Sequence, residues 1–347
     1  MNMKTVFVVD DNPVNLATAK QALNGIYRVL TIPSAEKMFS LFSKITPDLI
    51  LLDIEMPEMD GFAALKKLME NEQTAKIPVM FLTASTDSEM EAKGLALGAM
   101  DFISKPFSVP VLLNRIKNHL NIGDIVKKRT ERIEQLQNGI VFTFANIVES
   151  RDKVTGGHIT RTSKYIKSLL NAMIAKGVYL EELMDWDLDT AIISSRLHDV
   201  GKIVVSDLIL NKQGKLTYEE FSEIKRHTTE GEKVIDQMIA QTGEAQFLHH
   251  AKIFAGAHHE RWDGKGYPRG LREEEIPLQG RIMAIADVYD ALVSERSYKP
   301  AFSSAEAAEM IKNDSGTAFD PLIVGVFDEI KGEFAEIAEK YKQGDDK

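Results

Sequence analysis

The chain has 347 residues, 44% hydrophobic and 27% charged, with 11 prolines; at roughly 150 residues per domain this describes two ordinary globular domains and excludes a disordered chain. Forty-two Lys and Arg against 52 Asp and Glu give a net charge of −10, so no basic excess is available to neutralise a nucleic-acid backbone and DNA binding is not expected. With no cysteine, a disulfide, a thiolate metal site and a Cys nucleophile are all excluded, and no run nears the ~18 apolar residues of a membrane span; a cytoplasmic location without a membrane partner is expected.

From Thr5 to Leu120, short apolar runs alternate with amphipathic segments. The runs are Val6 to Val9, Val29 to Ile32, Leu49 to Leu52, Val79 to Leu82 and Phe102 to Ile103. This rhythm predicts five βα units and a doubly wound, five-stranded parallel α/β sheet. Such sheets bind ligands beyond the carboxyl ends of their strands. Asp10 and Asp11 follow the first run and Asp53 follows the third, so the topology gathers three carboxylates at one sheet edge. Oxygen ligands of this kind suit magnesium or manganese. Thr83 ends the fourth run and Lys105 the fifth, adding a hydroxyl and a cation that can grip a phosphoryl group, with Asp53 as the nucleophile.

On these residues the segment resembles the receiver domain of two-component response regulators. The resemblance rests on Val9-Asp10-Asp11-Asn12, Leu52-Asp53-Ile54-Glu55-Met56-Pro57, Asp60-Gly61, Thr83-Ala84 and Lys105-Pro106. It implies that Asp53 accepts phosphate from a cognate histidine kinase and that Asp10, Asp11 and Asp53 hold magnesium. It also implies a cis peptide before Pro106 and a switch through Thr83 and Phe102.

Beyond Leu120 the pattern changes. Ile122, Val126, Ile133, Leu136, Ile140 and Ile147 recur at alternating four- and three-residue spacing, with Arg129 and Thr143 at the remaining seam positions. Either an amphipathic helix lying on its own domain or a short coiled coil gives this spacing; the expectation is a linker, residues 122–148, that pairs two copies into a homodimer. The flanking domains are then 1–121 and 149–340.

After Phe142 nearly everything reads as helix, and seven of the eight histidines fall after residue 150. His198 and Asp199 end the helical run from Thr190 to Val200, Gly201 breaks it, and Lys202 follows. A helix C-terminus favours a cation. His227, the pair His258-His259 and Asp287 lie on later helical segments, and His158 precedes them all. His119, His249 and His250 are expected to be structural. Spacing alone does not separate the pair at 249 from the pair at 258; the Asp263-Gly264-Lys265-Gly266-Tyr267-Pro268 run behind the second decides it.

These stretches resemble the HD-GYP family of HD-type phosphohydrolases, an all-α fold. The carrying segments are His198-Asp199-Val200-Gly201-Lys202, His258-His259-Glu260-Arg261-Trp262 through Pro268, and Asp287-Val288-Tyr289-Asp290-Ala291-Leu292. The resemblance implies hydrolysis of cyclic di-GMP to linear pGpG or GMP under control of Asp53. His158, His198, Asp199 and Asp287 would hold one metal, and Asp199 would bridge to a second held by His227, His258 and His259. Iron or manganese is expected, with nickel or zinc also suited to such donors. Two metals can polarise a phosphodiester and activate a water for in-line attack. Asp199 and Lys202 would then be catalytic, with Lys202, Asp290, Arg296 and Lys299 binding substrate; the last two also fit plain surface charge. Gly266, Tyr267 and Pro268 would shape a loop. Some members carry a Glu four residues before the histidine matched by His158, associated with a third metal; Val154 stands there, so two metals are expected. A module that binds the dinucleotide without turnover, and a phosphohydrolase for another cyclic dinucleotide or nucleotide, stay open as alternatives.

Overall fold

A computed structural model describes residues 3–84, 88–151, 157–243, 245–295 and 301–341. The chain divides into two compact units, Met1–Ile133 and Glu134–Lys347.

The first unit is a parallel sheet of β1 (Thr5–Val9), β2 (Arg28–Ile32), β3 (Leu49–Asp53), β4 (Val79–Thr83) and β5 (Asp101–Ser104) in the order β2-β1-β3-β4-β5. Each expected strand is present, lengthened by a residue or two at its ends. The central strands β1, β3 and β4 are buried along their whole length. That follows from their unbroken apolar runs, because the sheet is covered on both faces. Phe7, Val9, Ile50, Leu52 and Phe81 fill one face, while Val6, Val8, Leu51, Met80 and Leu82 fill the other. The crossovers run through α1 (Pro13–Leu23), α2 (Ala35–Leu41), α3 (Gly61–Met69) and α4 (Ser88–Ala96). Asn12, Ser34 and Asp60 cap α1, α2 and α3 with side-chain oxygens, which satisfies donors that the first helical turn leaves open.

The next helix, α5 (Val109–Glu149), is one continuous element of 41 residues and passes the expected boundary at 121/122 without a break. Its early residues Leu112, Ile116 and Leu120 pack on the sheet. Its late residues Val141, Ala145 and Val148 are buried, Val141 in one cluster with Leu197, Val200, Ile235 and Ala251. The seam residues Ile122, Val126, Ile133, Leu136, Ile140 and Ile147 lie on neither face and are 50–68% exposed.

The second unit is helical: α6 (His158–Lys176), α7 (Leu180–Met184), α8 (Leu188–Ser194), α9 (Asp207–Leu210), α10 (Tyr218–Thr242), α11 (Gln246–Ala257), α12 (Leu278–Val293), α13 (Ser304–Asn313) and α14 (Pro321–Lys340). On α6, the stripe Tyr165, Ile166, Leu169, Leu170 and Met173 is buried against Ile282, Ile285 and Tyr289 of α12 and Phe327 and Phe334 of α14. Each such fully buried side chain removes apolar surface worth roughly 1.5–3 kcal/mol. His158 and Arg161 continue that stripe into the first turn and so face inward as well. One expectation needs correction. The helix read from Thr190 to Val200 ends at Ser194, and 3-10 turns at Ser195–Leu197 and Val200–Val204 carry the chain past His198 and Asp199. Helix α14 has clear signals, Asp320 as cap, Pro321 at the first position and apolar residues at 323, 324, 327, 330 and 334.

Candidate functional site

At the sheet edge of the first unit, Asp53 closes β3 and is 6% exposed. Lys105 Nζ lies 2.7 Å from Asp53 Oδ1 and 2.6 Å from Asp10 Oδ2. Asp10 Oδ1 accepts the Asn12 N–H at 2.9 Å, and Asn15 Nδ2 donates to both of its oxygens. Asp11 is exposed, and oxygens of Asp10, Asp11 and Asp53 come within 4.8 Å of one another. Burial raises the Asp53 pKa, with Lys105 opposing. Thr83 is buried at the end of β4. Phe102 is buried on β5 with its ring 5.3 Å from that of Phe81. The Lys105–Pro106 peptide is cis.

In the second unit, α6, the turn after α8, α10, the end of α11 and α12 converge on one centre. His158, His198 and Asp199 place ligand atoms within 4.8 Å of one another, as do His227, His258 and His259. Asp199 stands between the two groups: Oδ2 is 3.3 Å from His198 Nε2, while Oδ1 is 3.4 Å from His227 Nε2 and 3.7 Å from His258 Nε2. Asp287 Oδ1 is 3.6 Å from His158 Nε2. Lys202 Nζ sits 2.8 Å from Asp199 Oδ2.

The far nitrogens of these rings are anchored. His198 Nδ1 meets the Ser195 carbonyl at 3.0 Å, His227 Nδ1 the Ile224 carbonyl at 2.7 Å, and His258 Nδ1 the Phe254 carbonyl at 2.8 Å. A carbonyl only accepts, so each Nδ1 carries the proton and each Nε2 offers a lone pair to the centre. Burial lowers the pKa of His227 and His258 and brings His259 down to about 4, keeping these rings neutral. The Nε2 atoms of His227 and His258 therefore face each other at 3.2 Å with no hydrogen between them, beside Asp199 Oδ1, which is buried and has no hydrogen-bond partner. Burial would raise the Asp199 pKa, but Lys202 and His198 hold it well below the usual carboxylate range. Three converging lone pairs without a proton are the environment a divalent cation completes, so the donor set fits the expected metals.

His158 is held differently. Its Nδ1 lies 2.8 Å from Asp290 Oδ2; burial would lower the His158 pKa, but that bond together with the charges of Asp290, Asp287 and Glu149 pushes it up to about 9. Asp290 is 1% exposed, and Arg161 clamps both of its oxygens at 2.7 and 2.9 Å. The expectation that Asp290 binds substrate is thus corrected: both oxygens are committed behind His158, three residues along α12 from Asp287. Arg296, Lys299 and Val154 lie outside the described residues. Tyr267 sits in the loop after α11, its ring 4.7 Å from that of His259, next to the cis Tyr267–Pro268 peptide. Gly266 is required there, since a Cβ would come within 2.4 Å of the Arg261 backbone. Glu260 fixes this loop from below by accepting the Arg269 and Leu271 N–H groups. Gly201 matters by proximity: a Cβ would lie 1.9 Å from the His227 carbonyl, so glycine lets the Asp199 turn press against α10.

His119 pairs with Asp101 at 3.2 Å, His249 is exposed, and His250 is buried against Trp186 and Gln279; none joins the centre. Glu149, at the end of α5, was not singled out from the sequence. It lines the same cavity of about 360 Å³ as Asp199, Lys202, Tyr267 and Asp287, and nothing in its immediate sequence announces a site.

A phosphoacceptor-type acidic edge on a five-stranded parallel sheet and a histidine–aspartate centre in a helical unit define a receiver joined to an HD-type hydrolase. Family comparison agrees: residues 6–117 match the response regulator receiver domain and residues 143–323 match the HD domain. A protein of Vibrio cholerae named as a probable cyclic di-GMP phosphodiesterase is 37% identical, over 97% of this chain and 80% of its own. A cyclic di-GMP phosphodiesterase of Thermotoga maritima is 31% identical over 98% of this chain and 94% of its own. A 3'3'-cGAMP-specific phosphodiesterase of Vibrio cholerae is 35% identical over 59% of this chain and 37% of its own. The chain belongs to the family of response regulators whose output is an HD-domain hydrolase. Among the described residues no helix is long and apolar enough to cross a membrane.

Proposed function

We propose that the second unit hydrolyses cyclic di-GMP at a two-metal centre and that phosphorylation of Asp53 by a histidine kinase controls it. The observation that carries the reading is Asp199, whose two oxygens face two separate histidine groups. His158, His198, Asp199 and Asp287 are assigned to one cation and His227, His258, His259 and the same Asp199 to the other, with iron or manganese suited to these donors. Cations held there supply Lewis-acid polarisation of the phosphodiester and a nucleophile at neutral pH. Lys202 neutralises phosphate charge beside Asp199. Tyr267 and the glycines around it shape the wall of the cavity, and magnesium at Asp10, Asp11 and Asp53 supports phosphorylation of the receiver. The names of the Vibrio and Thermotoga relatives support cyclic di-GMP as substrate.

A domain layout of 1–121, 122–148 and 149–340 remains our reading, with the linker pairing two copies. The exposed heptad from Ile122 to Ile147 supports that dimer, because six large apolar side chains on one helical stripe are costly in water.

A second reading, 3'3'-cGAMP as substrate, is supported by the specific relative. One experiment separates them: metal-loaded protein is incubated with each dinucleotide and the products are resolved by chromatography. Conversion of cyclic di-GMP to pGpG or GMP is expected. Preferential cleavage of 3'3'-cGAMP establishes the second reading, and binding without product establishes a module that senses rather than hydrolyses.

A further inference from the structure

Two residues at the end of α5 reach both arms of the metal centre. Glu149 lines the cavity beside His158 and Ile159, at the start of α6, and burial raises its pKa. Arg151, two residues on, addresses the other arm. Its Nη1 donates to the carbonyls of Lys202 at 3.1 Å and Ile203 at 2.6 Å, its Nη2 donates to the carbonyl of Val205 at 2.9 Å, and its Nε donates to Asp207 Oδ1 at 3.1 Å. The Arg151 carbonyl in turn accepts from Asn211 Nδ2 at 2.8 Å.

Every part of this guanidinium is spent on one six-residue stretch. That stretch begins with Lys202, whose ammonium lies 2.8 Å from Asp199. A 3-10 turn such as Val200–Val204 is poorly self-bonded, and an external fork that binds the carbonyl groups of Lys202, Ile203 and Val205 supplies what the turn lacks. Only Arg offers the planar set of donors for this.

We infer that Arg151 is a positioning residue for Lys202. It fixes the turn on which the ammonium stands, so that the phosphate-facing cation is already in place when substrate arrives. This rests on the proposed phosphodiesterase activity for its kinetic part only.

The test uses full-length protein with Arg151→Ala and Arg151→Lys, each made alone and with Lys202→Gln. Turnover of cyclic di-GMP is followed at enzyme excess so that slow rates remain measurable, and hydrogen exchange is followed across residues 200–207. Arg151→Ala is expected to lose roughly 10-fold or more in rate, the usual scale for a residue that orients a site group, and to speed exchange in that stretch. Metal content should be retained, and Arg151→Lys should lie between, since one ammonium cannot serve the three carbonyls and Asp207. In the Lys202→Gln background the further loss should shrink to less than about twofold, because effects routed through one group do not add. An undiminished loss in that background overturns the inference. If wild-type protein turns over no dinucleotide, the functional reading fails, and unchanged exchange at 200–207 in both Arg151 variants overturns the positioning role separately.

Discussion

In the receiver centre the Lys105 ammonium touches both Asp10 and Asp53, whereas in the hydrolase centre Lys202 touches one oxygen of Asp199 and leaves three lone pairs facing one another. In the first arrangement one ammonium offsets only one of the two carboxylates it touches, so with the exposed Asp11 the edge keeps an acidic excess that an added cation can offset. A cation can enter and leave it, and Asp53 stays available as a nucleophile. The second is incomplete without cations: the rings of His227 and His258 are neutral, their protons are held on the outer nitrogens, and their inner lone pairs repel. One centre suits a reversible mark and the other a permanent metal complement. The lesson is that the count of acids does not tell the two apart; what the neighbouring cation neutralises does.

The largest expected effect breaks the two centres independently. Asp199→Ala removes the carboxylate shared by both metal groups, and several kcal/mol of charge stabilisation are at stake. At about 4 kcal/mol that is a loss of roughly 1000-fold in turnover. Its receiver should still be labelled by acetyl phosphate with magnesium, read by intact mass. Asp53→Asn should show the reverse, no labelling with an intact hydrolase metal content. Labelling of Asp53→Asn equal to wild type removes Asp53 from its role, and full turnover in Asp199→Ala removes the bridging carboxylate.

A smaller effect sharpens the comparison within the hydrolase centre. Asp290→Asn keeps an oxygen for Arg161 but weakens the carboxylate that orients His158. Orienting partners of this kind are worth about 10–100-fold in metal affinity or activity. Titration with chelator should show one class of metal released earlier than in wild type, while the group at His227, His258 and His259 keeps its affinity. Equal weakening of both classes means that Asp290 supports the fold and not one metal.

Much of this was legible in the sequence, for reasons that differ between the units. In the receiver the functional residues close strands, and a strand end is a local feature: Asp53 and Thr83 sit at the last positions of β3 and β4. In the hydrolase the residues that gather at the centre were legible from their motifs, but the placement of their buried partners was not. Asp290 looks like a substrate contact because it stands in the same motif as Asp287; only the packing of α12 on α6 turns it toward Arg161 and His158. Arg151 meets its partners through the chain's return at residues 202–207, contacts that no local spacing encodes. The helix expected through Val200 failed because the Asp199 turn must press onto α10, a tertiary demand.

The two histidine pairs extend the comparison to a residue with no cation to hold. His250 is 2% exposed, and its Nδ1 is 2.9 Å from Gln279 Nε2. Burial, with His249 adding repulsion, lowers its pKa from 6.5 to about 4. The folded state therefore refuses a proton that the unfolded chain takes up below about pH 6.5, so stability falls as the pH drops through this window and levels off only near pH 4. Between pH 7 and pH 5 this single group should cost about 2 kcal/mol. The loss should persist in metal-loaded protein, in contrast to that of His227 and His258, whose protonation competes with the cation. Urea unfolding of metal-loaded wild type and His250→Gln at the two pH values isolates it, because the glutamine keeps a polar partner for Gln279 and carries no titratable ring. The wild type should lose about 2 kcal/mol more than the variant; equal losses would mean that His250 is protonated in the folded state and that the pair at 249–250 is not the metal-free counterpart of the pair at 258–259.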